Sequence, residues 1–208
     1  MEVKPGYKQT EIGVIPQDWE MGSIGDLASI TTGAKDTQDR VQDGVYPFFV
    51  RSPNVERIDS YAFDGEAVLT AGDGVGTGKI FHYIVGKFNY HQRVYKISDF
   101  HRDLDGYFFY AYFSTHFYDR IMSMTAKSSV DSVRMEMISD MQIPLPPLAE
   151  QRAIASALGD VDDLITSLDK LIAKKRDIKQ GAMQQLLSGK TRLPGFSGEW
   201  EVKGLGEL

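Results

Sequence analysis

Apolar side chains return at alternating steps of four and three along the last third of the chain. Ile154, Leu158, Val161, Ile165, Leu168 and Ile172 hold that spacing, which is the a/d pattern of a seam where one helix meets another. Pro146 and Pro147 open the stretch, Glu150 falls in its first turn, and Gly189 and Pro194 close it. Each suits its place: proline at a helix start, an acid near the positive end of the dipole, glycine after the last turn. The pattern predicts a helix over 148–189, roughly 60 Å long at 1.5 Å per residue. Such a helix either acts as a strut that pairs with another helix or packs along its own domain. After Ile172 the register meets Lys175 and Lys179, and the apolar side passes to Leu171, Ile178, Ala182 and Leu186. Gly159 predicts a kink that divides the helix in two, since glycine weakens a helix interior by about 1 kcal/mol.

Upstream the period shortens. Tyr46–Val50, Ala67–Ala71, Lys79–Val85 and Arg93–Ile97 are short runs rich in β-branched and aromatic residues, so they predict strands in a compact, curved sheet over 30–98. Asp-Gly pairs at 43–44, 64–65 and 73–74 read as turns between them. Leu104–Met124 carries aromatics on nearly every side, which predicts a buried helix rather than a base-stacking platform. Residues 125–132 read as a polar loop, and Met141–Pro146 as a last strand that feeds the long helix. The fold class is therefore α+β: a β-rich domain over 1–147, a long helix over 148–189, and a tail over 190–208.

The tail repeats the beginning. Trp19-Glu20 with Ile24-Gly25-Asp26-Leu27 returns 181 residues later as Trp200-Glu201 with Leu205-Gly206-Glu207-Leu208. An echo with the same internal spacing implies a plan of domain plus helix, then the same again. Trp19 is expected to anchor the first segment to the domain.

Charge and composition narrow the function. The chain has 208 residues, a net charge of −6 and no cysteine. The last excludes disulfides, thiol catalysis and cysteine-built zinc sites. The charge is uneven: residues 1–147 hold 14 Lys and Arg against 20 Asp and Glu, whereas 148–208 hold nine of each. A general nucleic-acid binder carries a basic excess. If this domain reads DNA, it should bind weakly alone and depend on basic partners. The polar start is unlike a signal peptide, and no apolar run is long enough for a membrane span. A cytoplasmic protein is expected.

Little in the sequence points to catalysis. GDGVGTGK resembles a phosphate-binding loop, but Asp73 stands where the first glycine belongs and Ile80 where the hydroxyl belongs. The alternative is a glycine-rich turn in which Gly72, Gly74, Gly76 and Gly78 supply unusual backbone angles, and which could let backbone approach a phosphate. No His-Glu-x-x-His or Asn-Pro-Pro-Tyr-like site occurs, and Asp162-Asp163 falls on the solvated side of the helix. His91 has no metal-ligand spacing around it. Gln92 and Arg93 are residue types that read adenine and guanine edges, although a hydrogen-bonded corner accounts for them equally well.

GYKQTEIGVIPQDWE at the start, GKFNYHQRVYKI in the middle, and IPLPPLAEQRAIASAL with QQLLSGKTRLPGFSGEWE at the end together resemble a type I restriction–modification specificity subunit. The proline-flanked LAEQ helix start is the most specific part. The resemblance implies a target recognition domain over 1–147 that reads one half of a split DNA site. It implies a conserved helix over 148–188 that sets the spacing between half-sites and docks the methylation (M) subunit, with the restriction (R) subunit joining later. Catalysis would lie in those partners, which would hold S-adenosylmethionine, ATP and Mg, so no cofactor is expected in this chain. Family members usually carry two such units; this sequence holds one and the start of another, as a natural half-subunit or a cut fragment.

Residue type and loop placement make Lys35, Arg51, Lys79, Gln92, Arg93, Lys127 and Arg134 the expected DNA contacts. Leu158, Val161, Ile165, Leu168, Ile172, Ile178 and Leu186 are expected to pack helix on helix in an antiparallel homodimer. Two other classes compete: a coiled-coil adaptor that binds protein without reading DNA, which the acidic surface favours slightly, and a nucleotide-dependent enzyme, weakened by the failed phosphate loop.

Overall fold

The protein is described here by a computed structural model covering residues 4–124, 132–201 and 203–207. The chain divides into two units, Met1–Leu158 and Gly159–Leu208. Expectations that fall on Lys127 and on most of the 125–132 loop lie outside the described residues.

The first unit opens with a hairpin of β1 (Tyr7–Thr10) and β2 (Gly13–Pro16). Gly13, with φ at +119°, takes the backbone angle that closes it. Next come β3 (Glu20–Ser23) and a one-turn helix α1 (Ile24–Leu27), capped by Ser23, whose hydroxyl accepts from the Asp26 amide at 3.3 Å. None of these four elements was legible as a regular element from periodicity, because each is four residues long.

The main sheet is built from β4 (Ser29–Thr32), β5 (Tyr46–Phe49), β6 (Glu56–Ile58), β7 (Phe63–Ala71), β8 (Phe81–Tyr90) and β9 (Val94–Ser98). Their order across it is β4-β9-β7-β8-β5-β6. All neighbours run antiparallel except β5 and β8, which are parallel. The apolar run Ala67–Ala71 lies in a strand covered on both faces. Val68 belongs to the core beneath the helices, while Ala67 and Leu69 join Phe49, Phe88, Tyr90 and Val94 on the other face. The expected turn at Asp64–Gly65 is not a turn: both residues lie inside β7, opposite Lys87 and Gly86. The strand expected from Lys79 starts instead at Phe81 and continues to Tyr90.

α2 (Gly106–Ser123) is the expected buried aromatic helix. Asp105 caps it, its carboxylate accepting from the Tyr107 and Phe108 amides at 3.1 and 3.0 Å. Phe109, Phe113 and Phe117 are fully buried and pack ring to ring, and Phe81 of β8 meets Phe113 edge-on at 5.4 Å. The phenylalanines are core, and the half-buried Tyr107, Tyr110, Tyr112 and Tyr118 pack against it. α3 (Met135–Ser139) and β10 (Gln142–Leu145) follow, and β10 pairs antiparallel with β3.

α4 (Leu148–Leu186) is one uninterrupted helix of 39 residues. The expected division at Gly159 does not occur; a single glycine costs less than the hydrogen bonds on either side return. Its first turns are locked into the first unit by the LAEQ residues. Gln151 is completely buried: its Oε1 accepts from the Asp105 amide at 2.9 Å, and its Nε2 donates to the carbonyls of Asp103 and Pro146, both at 2.8 Å. Glu150 accepts from Trp19 Nε1 at 3.1 Å, so Trp19 does anchor the first segment, and it does so on the helix start. Ile154 packs against the main core. It is therefore part of the domain rather than the beginning of an open seam.

In the second unit the echo of the first segment has a related local form. Leu205–Glu207 is a 3-10 turn where Ile24–Leu27 is a helical turn. Trp200 lies close over Gly189, and the Arg192 guanidinium sits 5.9 Å from its ring. Leu186 is half-buried, lining with Leu193, Phe196 and Trp200 a cavity of about 250 Å³. Leu186 thus faces the tail, not an open helix surface. Among the described residues no helix is long and apolar enough to cross a membrane.

Candidate nucleic-acid interface

The turn between β8 and β9, His91-Gln92-Arg93, is the point around which polar side chains gather. Its backbone is fixed on three sides. His91 N–H donates to Phe49 O at 2.9 Å, Gln92 N–H to Lys35 O at 2.8 Å, and Val94 N–H back to His91 O at 2.9 Å. Gly33 makes this approach possible, because a Cβ there would lie 2.0 Å from the Tyr90 carbonyl. His91 is a corner-post: its Nδ1 accepts from the Arg93 amide at 2.9 Å, and the ring is 1% exposed. Burial, with the nearby Arg51 charge, pushes its pKa below the ordinary histidine value, so it is neutral at physiological pH. No metal-ligand cluster surrounds it among the described residues.

Gln92 and Arg93 are exposed at the tip of this corner, and carboxylates hold both. Gln92 Nε2 donates to Asp36 Oδ2 at 2.9 Å. Asp73 holds two arginines: Arg51 Nη1 lies 2.9 Å from Oδ1, and Arg93 Nε 3.7 Å from Oδ2. Lys35 is tied to the same corner through its β-bridge with His91. Four of the expected contacts, Lys35, Arg51, Gln92 and Arg93, are therefore brought together from three separate parts of the chain. A cavity of about 330 Å³ opens beside them, lined by Asp73, Gln92, Arg93 and Tyr95, and Tyr95 OH closes it by donating to Val133 O at 3.2 Å.

The other expected contacts stand apart from these ion pairs. Lys79 Nζ lies over the Tyr118 ring of α2 at 4.8 Å. Arg134 is the residue before α3, next to Val133, whose amide donates to Gly72 O at 2.7 Å. Asp36 and Asp73 were not among the expected site residues; nothing in local sequence marks a carboxylate that will meet an arginine from another strand.

The glycine loop that precedes β8 is a turn. Thr77, Lys79 and Ile80 amides are consumed inside it, by Gly74 O at 3.1 Å and Gly76 O at 3.0 and 3.1 Å. Gly74 and Gly78 have positive φ, at +86° and +69°. Gly72 and Gly76 do not, so only two of the four glycines are needed for their backbone angles.

The second candidate surface is the middle of α4. Val161, Ile165, Leu168 and Ile172 are 52, 51, 48 and 47% exposed, and Leu158 and Ile178 are exposed as well. The expected seam is a continuous apolar stripe open to solvent.

Residues 16–179 match the type I restriction modification DNA specificity domain. The chain is 33% identical over 168 residues to the type I restriction enzyme EcoDI specificity subunit of Escherichia coli, covering 81% of this chain and 36% of that protein. It is 28% identical over 219 residues to the MjaVIII specificity subunit of Methanocaldococcus jannaschii, covering 93% of this chain and 50% of that one. Among solved structures, the S subunit from M. genitalium superposes with a TM-score of 0.68 at 18% identity, over 90% of this chain and 48% of that chain. The HsdS subunit from Thermoanaerobacter tengcongensis gives 0.55 at 14%, over 86% and 47%. The chain thus spans about a third to a half of the length of these relatives.

Proposed function

This chain belongs to the type I restriction modification DNA specificity domain family, and from that we propose that it reads one half of a bipartite DNA target for a type I restriction–modification enzyme. The observation that carries the reading is the family match across both the β-rich domain and most of the helix. Residues 1–147 read DNA, 148–189 form the spacer and docking helix, and 190–208 are the start of a second repeat unit or a C-terminal tail. The chain contributes recognition and scaffolding. Methyl transfer with S-adenosylmethionine and ATP- and Mg-dependent cleavage belong to the methylation and restriction subunits that bind it. The open stripe on α4 is covered by a second copy of the chain, antiparallel, which sets two recognition domains on inverted half-sites. The target is then an interrupted palindrome.

The test is a gel shift with and without the methylation subunit. The chain alone, with its acidic domain, is expected to bind DNA weakly and with little selectivity; the assembled complex binds tightly at one site. Alanine at Lys35, Arg51, Lys79, Gln92, Arg93, Lys127 and Arg134 together is expected to abolish that binding. Singly, loss of a phosphate contact weakens all sequences and lowers the salt slope by about 1, whereas loss of a base contact relaxes one position. Unchanged affinity in the combined variant overturns the assignment of these residues.

Asp73 supplies a sharper prediction. Its carboxylate occupies the arginines that a phosphate would need. Asp73→Asn is expected to strengthen binding to random DNA and to steepen the salt dependence by roughly one or two phosphate equivalents. Selectivity falls as a result, measured as the ratio of specific to random affinity across a salt series.

A further inference from the structure

We propose that Gln92 reads an adenine in the major groove, and that Asp36 is the positioning residue that fixes which way its amide faces. This rests on the DNA-reading function above and names one base and the atoms that meet it. Gln92 is exposed at the tip of the corner between β8 and β9. Its backbone is held from below: Gln92 N–H donates to Lys35 O at 2.8 Å, and the neighbouring His91 N–H to Phe49 O at 2.9 Å. The bond to Lys35 also brings the next residue, Asp36, beside the Gln92 side chain. Gln92 Nε2 donates to Asp36 Oδ2 at 2.9 Å, across 56 residues of chain. Asp36 is steadied in turn. Its own amide donates to Asp39 Oδ2 at 2.8 Å, and His91 Nε2 faces its Oδ2 at 3.8 Å. Nδ1 of that ring accepts from the Arg93 amide, so Nε2, the nitrogen facing Asp36, carries the proton of the neutral ring.

The contact with Asp36 decides the orientation of the amide. An ionised carboxylate accepts and does not donate, so Nε2 and not Oε1 must face it. Among the described residues this is the amide's only hydrogen bond. Oε1 and the second N–H therefore remain for a ligand, an acceptor beside a donor. Adenine offers the complement in the major groove, with N6–H as donor and N7 as acceptor. Guanine offers two acceptors there, O6 and N7, so one of them meets Oε1 with no proton between. Cytosine offers only the N4 donor and thymine only the O4 acceptor, so neither gives the amide two bonds. A free glutamine can turn over and exchange its oxygen with its nitrogen, presenting acceptor and donor in either order. Asp36 removes that choice in the folded chain, before DNA arrives, so less side-chain freedom is lost on binding.

The test uses the chain assembled with the methylation subunit and a randomised library of double-stranded DNA. The wild-type complex is expected to select a half-site with adenine at one fixed position, and Gln92→Ala to lose the preference at that position alone. A bidentate contact gives roughly 5- to 150-fold discrimination against the wrong base, and that is the expected drop. Base analogues then identify the atoms without altering the protein. Substituting 7-deazaadenine, which lacks N7, or purine, which lacks the N6 amino group, should weaken wild-type binding at that position and leave Gln92→Ala unaffected. Asp36→Ala should lower the adenine preference as well, whereas Asp36→Asn, whose Oδ1 can still accept from Nε2, should keep it. A merely structural Asp36 would change stability, or affinity for all sequences, without changing the preferred base. An unchanged consensus for Gln92→Ala, an equal weakening of all sequences, or a base other than adenine at the relaxed position overturns the assignment while the DNA-reading function stands. Unchanged selectivity in Asp36→Ala overturns the positioning role. A wild-type complex that selects no sequence overturns the DNA-reading function itself.

Discussion

Replacing Ile165 and Leu168 together by glutamate leaves the chain monomeric and its β-rich domain folded: this is the largest expected effect of any surface change. Both side chains are about half exposed in the single chain, and neither belongs to its core clusters. Full burial of an aliphatic side chain contributes roughly 1.5–3 kcal/mol. Two-fold symmetry removes four such side chains at once. Even half of that contribution, about 3 kcal/mol at the low end, moves the dimer Kd by about two decades. The glutamates add like charge across the pairing face. Sedimentation or light scattering reads the loss of the dimer, while an unchanged unfolding transition of the β-rich domain shows that only association was touched. If the wild-type chain dimerises but its assembled enzyme methylates an asymmetric site, the two-fold arrangement on DNA fails and the helix pairing stands.

Gln151→Ala has the opposite signature, with a large loss of stability. The side chain is fully buried and satisfies three backbone groups: the Asp105 amide and the carbonyls of Asp103 and Pro146. Truncation strands all three where the amide side chain was their partner. A buried polar group left unsatisfied costs about 1–3 kcal/mol, so a loss of roughly 3 kcal/mol or more is expected. At about 2–4 °C per kcal/mol for a domain of this size, Tm falls by roughly 10 °C. Gln151→Glu keeps the acceptor for Asp105 but replaces the donor with oxygen facing two carbonyls, and should be at least as damaging. Trp19→Phe removes the exposed bond to Glu150 and part of a half-buried ring, and the cost from the bond is small, within about 1 kcal/mol. Thermal melts of the three variants rank these contributions. A Gln151→Ala protein as stable as wild type would show that the LAEQ motif is not held for structure.

The two motifs that carried the resemblance most specifically, the first Trp-Glu segment and the LAEQ helix start, turn out to touch. Trp19 meets Glu150 across 131 residues, and Gln151 meets Asp105 across 46. Neither meeting is visible in the string. Each residue there looks like an ordinary helix or loop polar residue, and only the return of β10 beside β3 brings the segments together.

The sequence by itself determined the elements whose signal is local. α4 was legible because its apolar positions repeat every three and four residues over many turns, and α2 because its aromatics fill every face of one helix length. The central strands β7 and β9 were legible from their apolar runs. Strand ends were not, because pairing with a neighbour decides where a strand stops: Asp64–Gly65 became strand because Lys87 and Gly86 lie opposite. The candidate DNA contacts were half legible. Residue type picked out Arg51, Gln92 and Arg93, but only the folded sheet revealed that Asp36 and Asp73 hold them, since those carboxylates arrive from distant segments. Tertiary structure also decided which part of the periodic stripe is available. Ile154 and Leu186 share the pattern, yet one is claimed by the core and the other by the tail. Periodicity records that a face is apolar; what covers it depends on which surfaces the rest of the chain brings near.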